Sequence, residues 1–240
     1  MRLLVVLSIA ACSSAPGAAA IDAAGDASPD GTTAPTLVAH YTMEALAAAA
    51  PQVTDATMHG HDGTCMTCPI VAPGKHALGY QFDGTDIIHI AGTGALRTPT
   101  GFTVAAWFNY AAPHVGCFVN KSVGSADANS WQACVQSNSV VTFYSNKATG
   151  GDSLATGAVS VDVWHHVALR WDGAMKSIYL DGVLAASIGV SDTSFDDGDV
   201  TIGADVDFGA ISAPFKGVLD DVEIYDGALA PADIAVLATP

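Results

Sequence analysis

The 240-residue sequence carries 24 acidic and 8 basic side chains, a formal charge of -16, and 50% hydrophobic residues, a balance that supplies a sizeable core and excludes a disordered chain. Lys75, Arg97, Lys121, Lys147, Arg170, Lys176 and Lys216 lie scattered among acids, which excludes the clustered cations that a phosphate backbone needs and, with them, nucleic acid as a partner. Only Glu44 and Glu223 among the acids are glutamate; aspartate suits turns and oxygen-rich cation sites better than helices.

Arg2 precedes an apolar run over residues 3–11, the length of an export-signal core and far short of the ~20 residues that cross a bilayer. Its end, Ile9-Ala10-Ala11-Cys12, resembles the bacterial lipobox, in which a small residue precedes the cysteine that is lipidated and becomes the mature N-terminus. The resemblance implies a signal peptide over 1–11 and lipid on Cys12. With Ser13 next rather than aspartate, it implies a place at the bacterial outer membrane or cell surface, where several acyl chains hold a protein firmly. An ordinary signal peptide cut near Ala18-Ala19-Ala20 is the alternative. Residues 12–35 hold Ile21 as their one large apolar residue, so this stretch cannot offset its own ordering entropy and reads as a flexible tether. The lipid is then the only expected contact with membrane.

A folded domain is expected over 36–240, where short β-rich runs are split by Gly, Asp, Asn and Pro: LVAHYTM, GYQFDG, DIIHIAG, FTVAAWFNY, GCFVNKS, WQACVQ, SVVTFYS, VWHHVALRW, SIYLDGVLAAS, DVTIGAD and GVLDDVEIY. About a dozen strands at this spacing, with no helical period between them, predict an all-β antiparallel sandwich of two sheets. His165 and His166 stand side by side in one strand, so they leave on opposite faces and cannot share an ion or a substrate. One imidazole is expected to be packed and hydrogen-bonded, the other partly exposed. Asp181-Gly182 predicts a two-residue hairpin turn. At the end, Pro231–Leu237 reads as a short C-terminal helix with proline in its first turn and Ile234 and Leu237 on one side.

Four stretches, "VTDATMHGHDGT" at 53–64, "FDGTDIIHI" at 82–90, "WHHVALRWDGAMKSIYLDGVLAAS" at 164–187 and "GVLDDVEIYDGALAPADI" at 217–234, together resemble the laminin G-like group of concanavalin A-type jelly rolls found in bacterial surface proteins. They stand in family order and span about residues 37–238. The resemblance implies a jelly-roll sandwich in which 164–171 is a framework strand. It also implies one structural calcium, held between the acidic loop and the aspartate of the closing strand, here Asp55, Asp62 and Asp220. Carboxylates on a loop turned tightly by Gly60 and Gly63 suit a hard cation. Met58, His59 and His61 stand where the family has Gly and Asn.

With Cys12 assigned to lipid, Cys65, Cys68, Cys117 and Cys134 remain, an even number that reads as two disulfides outside the cytosol, with three possible connectivities. Cys117 and Cys134 lie in consecutive runs joined by a polar loop, and Cys65 and Cys68 close a small loop in CMTCP. The alternative is zinc, since His59, His61, Cys65 and Cys68 fall within ten residues, "HGHDGTCMTC", and are donors that zinc favours. Some jelly rolls of this superfamily hydrolyse polysaccharides with two carboxylates repeated along one strand. That pair is missing here: Glu44 sits in an Ala-rich stretch, and Asp221 with Glu223 belongs to the closing-strand motif. The expected role is therefore non-catalytic binding, to glycan or to an extracellular protein, with Trp131, Tyr144 and Asn146 as sugar-contacting candidates because such side chains stack on and hydrogen-bond sugars. The rival expectation is a structural or adhesion module that contacts protein and takes no small ligand.

Overall fold

The computed structural model describes residues 34–50, 52–124, 128–147, 150–189 and 193–239; the expected signal peptide, Cys12 and the tether up to residue 33 lie outside the described residues. Strands are numbered along the chain. One antiparallel sheet of eight strands runs β13 (Val183–Gly189), β12 (Met175–Leu180), β11 (His165–Trp171), β6 (Phe102–Asn109), β17 (Lys216–Tyr225), β4 (Leu78–Asp83) and β3 (Ile70–Pro73), with β1 (Leu37–Tyr41) also paired to β17. A second, of seven, runs β10 (Gly150–Ala158), β9 (Val140–Lys147), β8 (Asn129–Val135), β7 (Gly116–Ser122), β14 (Val200–Ile202), β5 (Ile88–Ile90) and β2 (Gly63–Thr64). A separate hairpin is made by β15 (Asp205–Asp207) and β16 (Ala210–Ser212). The expected antiparallel sandwich is what forms.

Strand alternation sends one set of side chains between the sheets. Val104, Ala106 and Phe108 of β6 and Val167, Leu169 and Trp171 of β11 join Trp131, Ala133 and Val135 of β8 and Val141 and Phe143 of β9 in one core. Trp131, expected to contact sugar, is 0% exposed and packs on Phe102 with ring centroids 6.1 Å apart. The correction has a simple cause: Trp131 shares its face with Ala133 and Val135, the face that β8 buries. Helix α1 (Pro231–Leu237) closes the opposite face of the eight-stranded sheet, setting Ile234 and Leu237 against Ala105, Ala168 and Tyr179. The alanines leave room for the helix.

The β12–β13 turn has Asp181 at φ 50° and Gly182 at φ 77°, the double positive φ of the turn that matches hairpin twist. Cys117 and Cys134 are register partners across β7 and β8 and are joined as a disulfide; Cys65 is joined to Cys68. Both sulfurs of the expected zinc alternative are thereby taken. His165 and His166 do leave on opposite faces, yet the hydrogen-bonded ring is the less buried one. His165 Nδ1 lies 2.9 Å from Asp181 Oδ2, whereas His166 is buried against Trp107 at 5.2 Å with its Nδ1 unpartnered.

Candidate functional site

The outer face of the seven-stranded sheet carries an unbroken cross-strand row. Reading from one edge to the other, Ser153 of β10 pairs with Tyr144 of β9, Tyr144 with Gln132 of β8, Gln132 with Asn120 of β7, Asn120 with Thr201 of β14, Thr201 with His89 of β5, and His89 with Thr64 of β2. Register partners share a face. Their chain neighbours Leu154, Phe143, Trp131, Val119, Val200 and Ile88 point into the core, so every member of the row points out. Six strand spacings make a polar track about 29 Å long.

The β15–β16 hairpin straddles the middle of this track. Asp205 accepts hydrogen bonds from Asn120 Nδ2 (2.8 Å), Asn129 Nδ2 (3.2 Å) and Gln132 Nε2, and Thr201 Oγ1 donates to the Ala204 carbonyl at 2.9 Å. Asn120 is completely buried under it. Beside the hairpin a cavity of about 190 Å³ is lined by His89, Ser122, Asp199, Thr201, Val206 and Gly209. At the hairpin tip Phe208 stands 75% exposed with φ 51°, followed by Gly209 at φ 76°. The double positive φ is that of the two-residue turn that matches hairpin twist, as at Asp181-Gly182. Next to it Asp207 Oδ1 is buried without a hydrogen-bond partner. The hairpin covers the middle of the row, leaving Ser153, Tyr144 and Gln132 on one side and His89 and Thr64 on the other at least partly exposed; with the exposed aromatic, these are groups that can stack on and hydrogen-bond sugar rings.

Of the sugar-contacting candidates, Tyr144 and Asn146 do share this face, two residues apart on β9, with Asn146 Oδ1 accepting from the Asn129 N–H at 2.9 Å. Trp131 points the other way. Sequence reasoning missed Gln132, Asp205, His89 and Phe208. The one local signal was the aromatic flanked by aspartate and glycine in "DFG" at 207–209; the rest of the row exists only through register.

Of the expected calcium residues, Asp55 and Asp62 meet in the acidic loop, and Asp220 is grouped with other residues. Asp55 Oδ1 accepts from the His40 and Thr57 N–H groups and from Thr57 Oγ1, and its Oδ2 from Thr57 Oγ1 and the His61 N–H. Burial pushes the Asp55 pKa up, but these bonds outweigh it and hold the carboxyl below its usual range. Asp62 accepts from the Asp55 N–H at 2.8 Å. Among the described residues Asp220 lies with His76 and Asp221, the three offering donor atoms within 4.8 Å of one another.

Residues 82–235 match the family described as the concanavalin A-like lectin/glucanases superfamily, and the chain belongs to that family. Among solved structures, domain 4 of AbnA, a GH43 extracellular arabinanase from Geobacillus stearothermophilus in complex with arabinotriose, aligns with TM-score 0.66 at 19% identity over 86% of this chain and 100% of that one. The binding domain of Paraclostridial Mosquitocidal Protein 1 aligns with TM-score 0.64 at 11% identity over 82% of this chain and 52% of that one. The Botulinum neurotoxin serotype G binding domain gives 0.63 at 10% identity over 85% and 50%. This chain thus spans about half of each toxin domain, and at such identities the likeness establishes the fold alone. The search of curated proteins found no match.

Proposed function

We propose that the protein is a non-catalytic module that binds a neutral saccharide chain across the outer face of its seven-stranded sheet, held at an outer cell surface by lipid on Cys12. The observation that carries the reading is the polar row from Ser153 to Thr64, flanked by the exposed Phe208. Asp199, Asp205 and Asp207 beside the row favour neutral sugars over uronates or sialosides, which like charge would repel. The arabinotriose complex of the AbnA domain supports sugar as the ligand class for this fold. That the two toxin structures are binding domains supports a non-catalytic role.

A glycan array probed with the purified protein tests the site. Phe208→Ala, Gln132→Ala and His89→Ala are each expected to lower binding of neutral glycans at least tenfold, about 1.4 kcal/mol, with unfolding midpoints little changed for Phe208→Ala. Absence of glycan binding, or binding that all three substitutions leave intact, rejects this face and favours the protein-contacting module. Anchoring is read separately, since Cys12→Ala is expected to abolish partition into a detergent phase; unchanged partition rejects the lipid.

A further inference from the structure

A second constellation lies on the other sheet. Strand β17 carries a β-bulge: its register with β6 shifts between Asp220 and Glu223, and Asp221 sits there at φ 44°. In a regular strand Asp220 and Asp221 would leave on opposite faces; the extra residue re-aims Asp221 so that both carboxylates reach the same side. The turn between β3 and β4 brings His76 to meet them. Asp220, completely buried, accepts from the His76 N–H (2.8 Å) and the Asp221 N–H (2.9 Å). Asp221 then bridges two imidazoles, with His76 Nδ1 2.7 Å from its Oδ2 and His40 Nε2 2.9 Å from its Oδ1, and His40 Nε2 also lies 3.7 Å from Glu223 Oε1.

We propose that His76, Asp220 and Asp221 form a binding site for one divalent transition cation of the zinc class, with His40 positioning Asp221. Donor atoms of the three already lie within 4.8 Å of one another, and closing to zinc distances of about 2.0–2.2 Å would bring them to roughly 3.4 Å apart, a shift that side-chain torsions absorb. An independent observation points to the same place. His166 of β11 is 2% exposed with its Nδ1 unpartnered, and its ring lines a cavity of about 180 Å³ together with His76, Trp107, Asp221 and Glu223. Buried polar groups are normally satisfied, so an imidazole left over beside carboxylates in a hollow is a ligand or a partner for an ion's bound water. His76 is part-exposed, which gives the ion a way in.

Charge and donor type fix the class. Asp220, Asp221 and Glu223 are offset by one nearby cation, Lys75, whose Nζ lies 4.3 Å above the Trp107 ring. With neutral imidazoles the formal balance is 3 − 1 = 2 negative charges, which one dication neutralises. Imidazole nitrogen mixed with carboxylate oxygen suits zinc, copper, nickel or iron, whereas calcium and magnesium take oxygen alone. The set shares Asp220 with the all-oxygen set Asp55, Asp62 and Asp220 that the family resemblance implies, and differs from it in drawing on His76 and Asp221 instead of the acidic loop.

The test is zinc binding by the full-length protein, stripped with chelator, followed by calorimetry and by the visible spectrum of cobalt(II) as a stand-in. One equivalent of zinc is expected, undisturbed by millimolar calcium. His76→Ala and Asp221→Asn should each weaken it at least tenfold and bleach the cobalt bands, while His59→Ala, in the acidic loop at 55–62, should leave both readouts unchanged. His76→Gln serves if the alanine variant melts early, because it keeps the turn's bulk and loses the imidazole donor. Zinc affinity unaltered by His76→Gln, loss with His59→Ala instead, or equal affinity for calcium would each overturn the proposal.

Discussion

Trp131 separates two opposite roles for one side chain, a platform for sugar or a wedge between sheets. It is completely buried, so truncation to alanine removes roughly 200 Å² of apolar contact at ~25 cal/mol per Å², about 5 kcal/mol as an upper figure and 3–5 kcal/mol by the usual outcome for large aromatics. Its Nε1, however, is buried with no acceptor, a group whose desolvation costs about 1–3 kcal/mol. Trp131→Phe keeps most of the ring against Phe102 and removes that orphan donor; the lost atoms cost about 2 kcal/mol, so the net change is expected within about 1 kcal/mol of zero. Equilibrium urea unfolding followed by far-ultraviolet circular dichroism reads both numbers, and glycan binding below the transition should be unaffected in either variant. An alanine variant as stable as the parent that has lost sugar binding would refute the inward placement. A phenylalanine variant destabilised by 3 kcal/mol or more would refute the orphan N–H.

The Cys117–Cys134 bridge closes a 17-residue separation, and replacing both cysteines by serine is expected to cost about 3 kcal/mol in the chain-entropy account; an unchanged urea midpoint would contradict it. Burial holds the His166 pKa down at about 4 against ~6.5 unfolded, so in metal-free protein the stability from its neutral form is present above about pH 6.5 and drains by about 3 kcal/mol as pH falls to 4. Asp220 opposes this: burial first, then the Asp221 charge, pushes it up to about 6, and its cost, full above that pH, is returned as pH falls toward ~4. His166→Gln should therefore gain on the parent across pH 6.5 to 4 in chelator, and parallel stability curves would reject the assignment.

What could be read from the sequence follows the range of the forces involved. Strands such as β6 and β11 carry β-branched and aromatic runs bounded by turn residues, and the helix at 231–237 carries its own proline and apolar stripe, so both are legible locally. β10, spelled GGDSLATGA, offers little but small residues and buries only Leu154 and Thr156; its strand form comes from pairing with β9, not from propensity. Trp131 misled because β8 buries Cys134 as well as Trp131, Ala133 and Val135, which blurs the alternation that would have assigned its face. The polar row needed register between strands far apart in the chain. The side shared by Asp220 and Asp221 needed the bulge, and a run reading DDVEIY gives no local sign that its parity slips.

The position of β17 has a consequence for how the chain can fold. It lies at the middle of the eight-stranded sheet, hydrogen-bonded to β6 on one flank and to β4 and β1 on the other, although it is the last strand along the chain. Until residues 216–225 arrive, β1, β4 and β6 present open edges with no common partner, and contacts that span most of the sequence make closure slow and non-local. A nascent chain would therefore keep these edges unpaired until β17 has been made. A chain cut short before Tyr225 would not yield a smaller domain but an aggregation-prone set of unpaired edges.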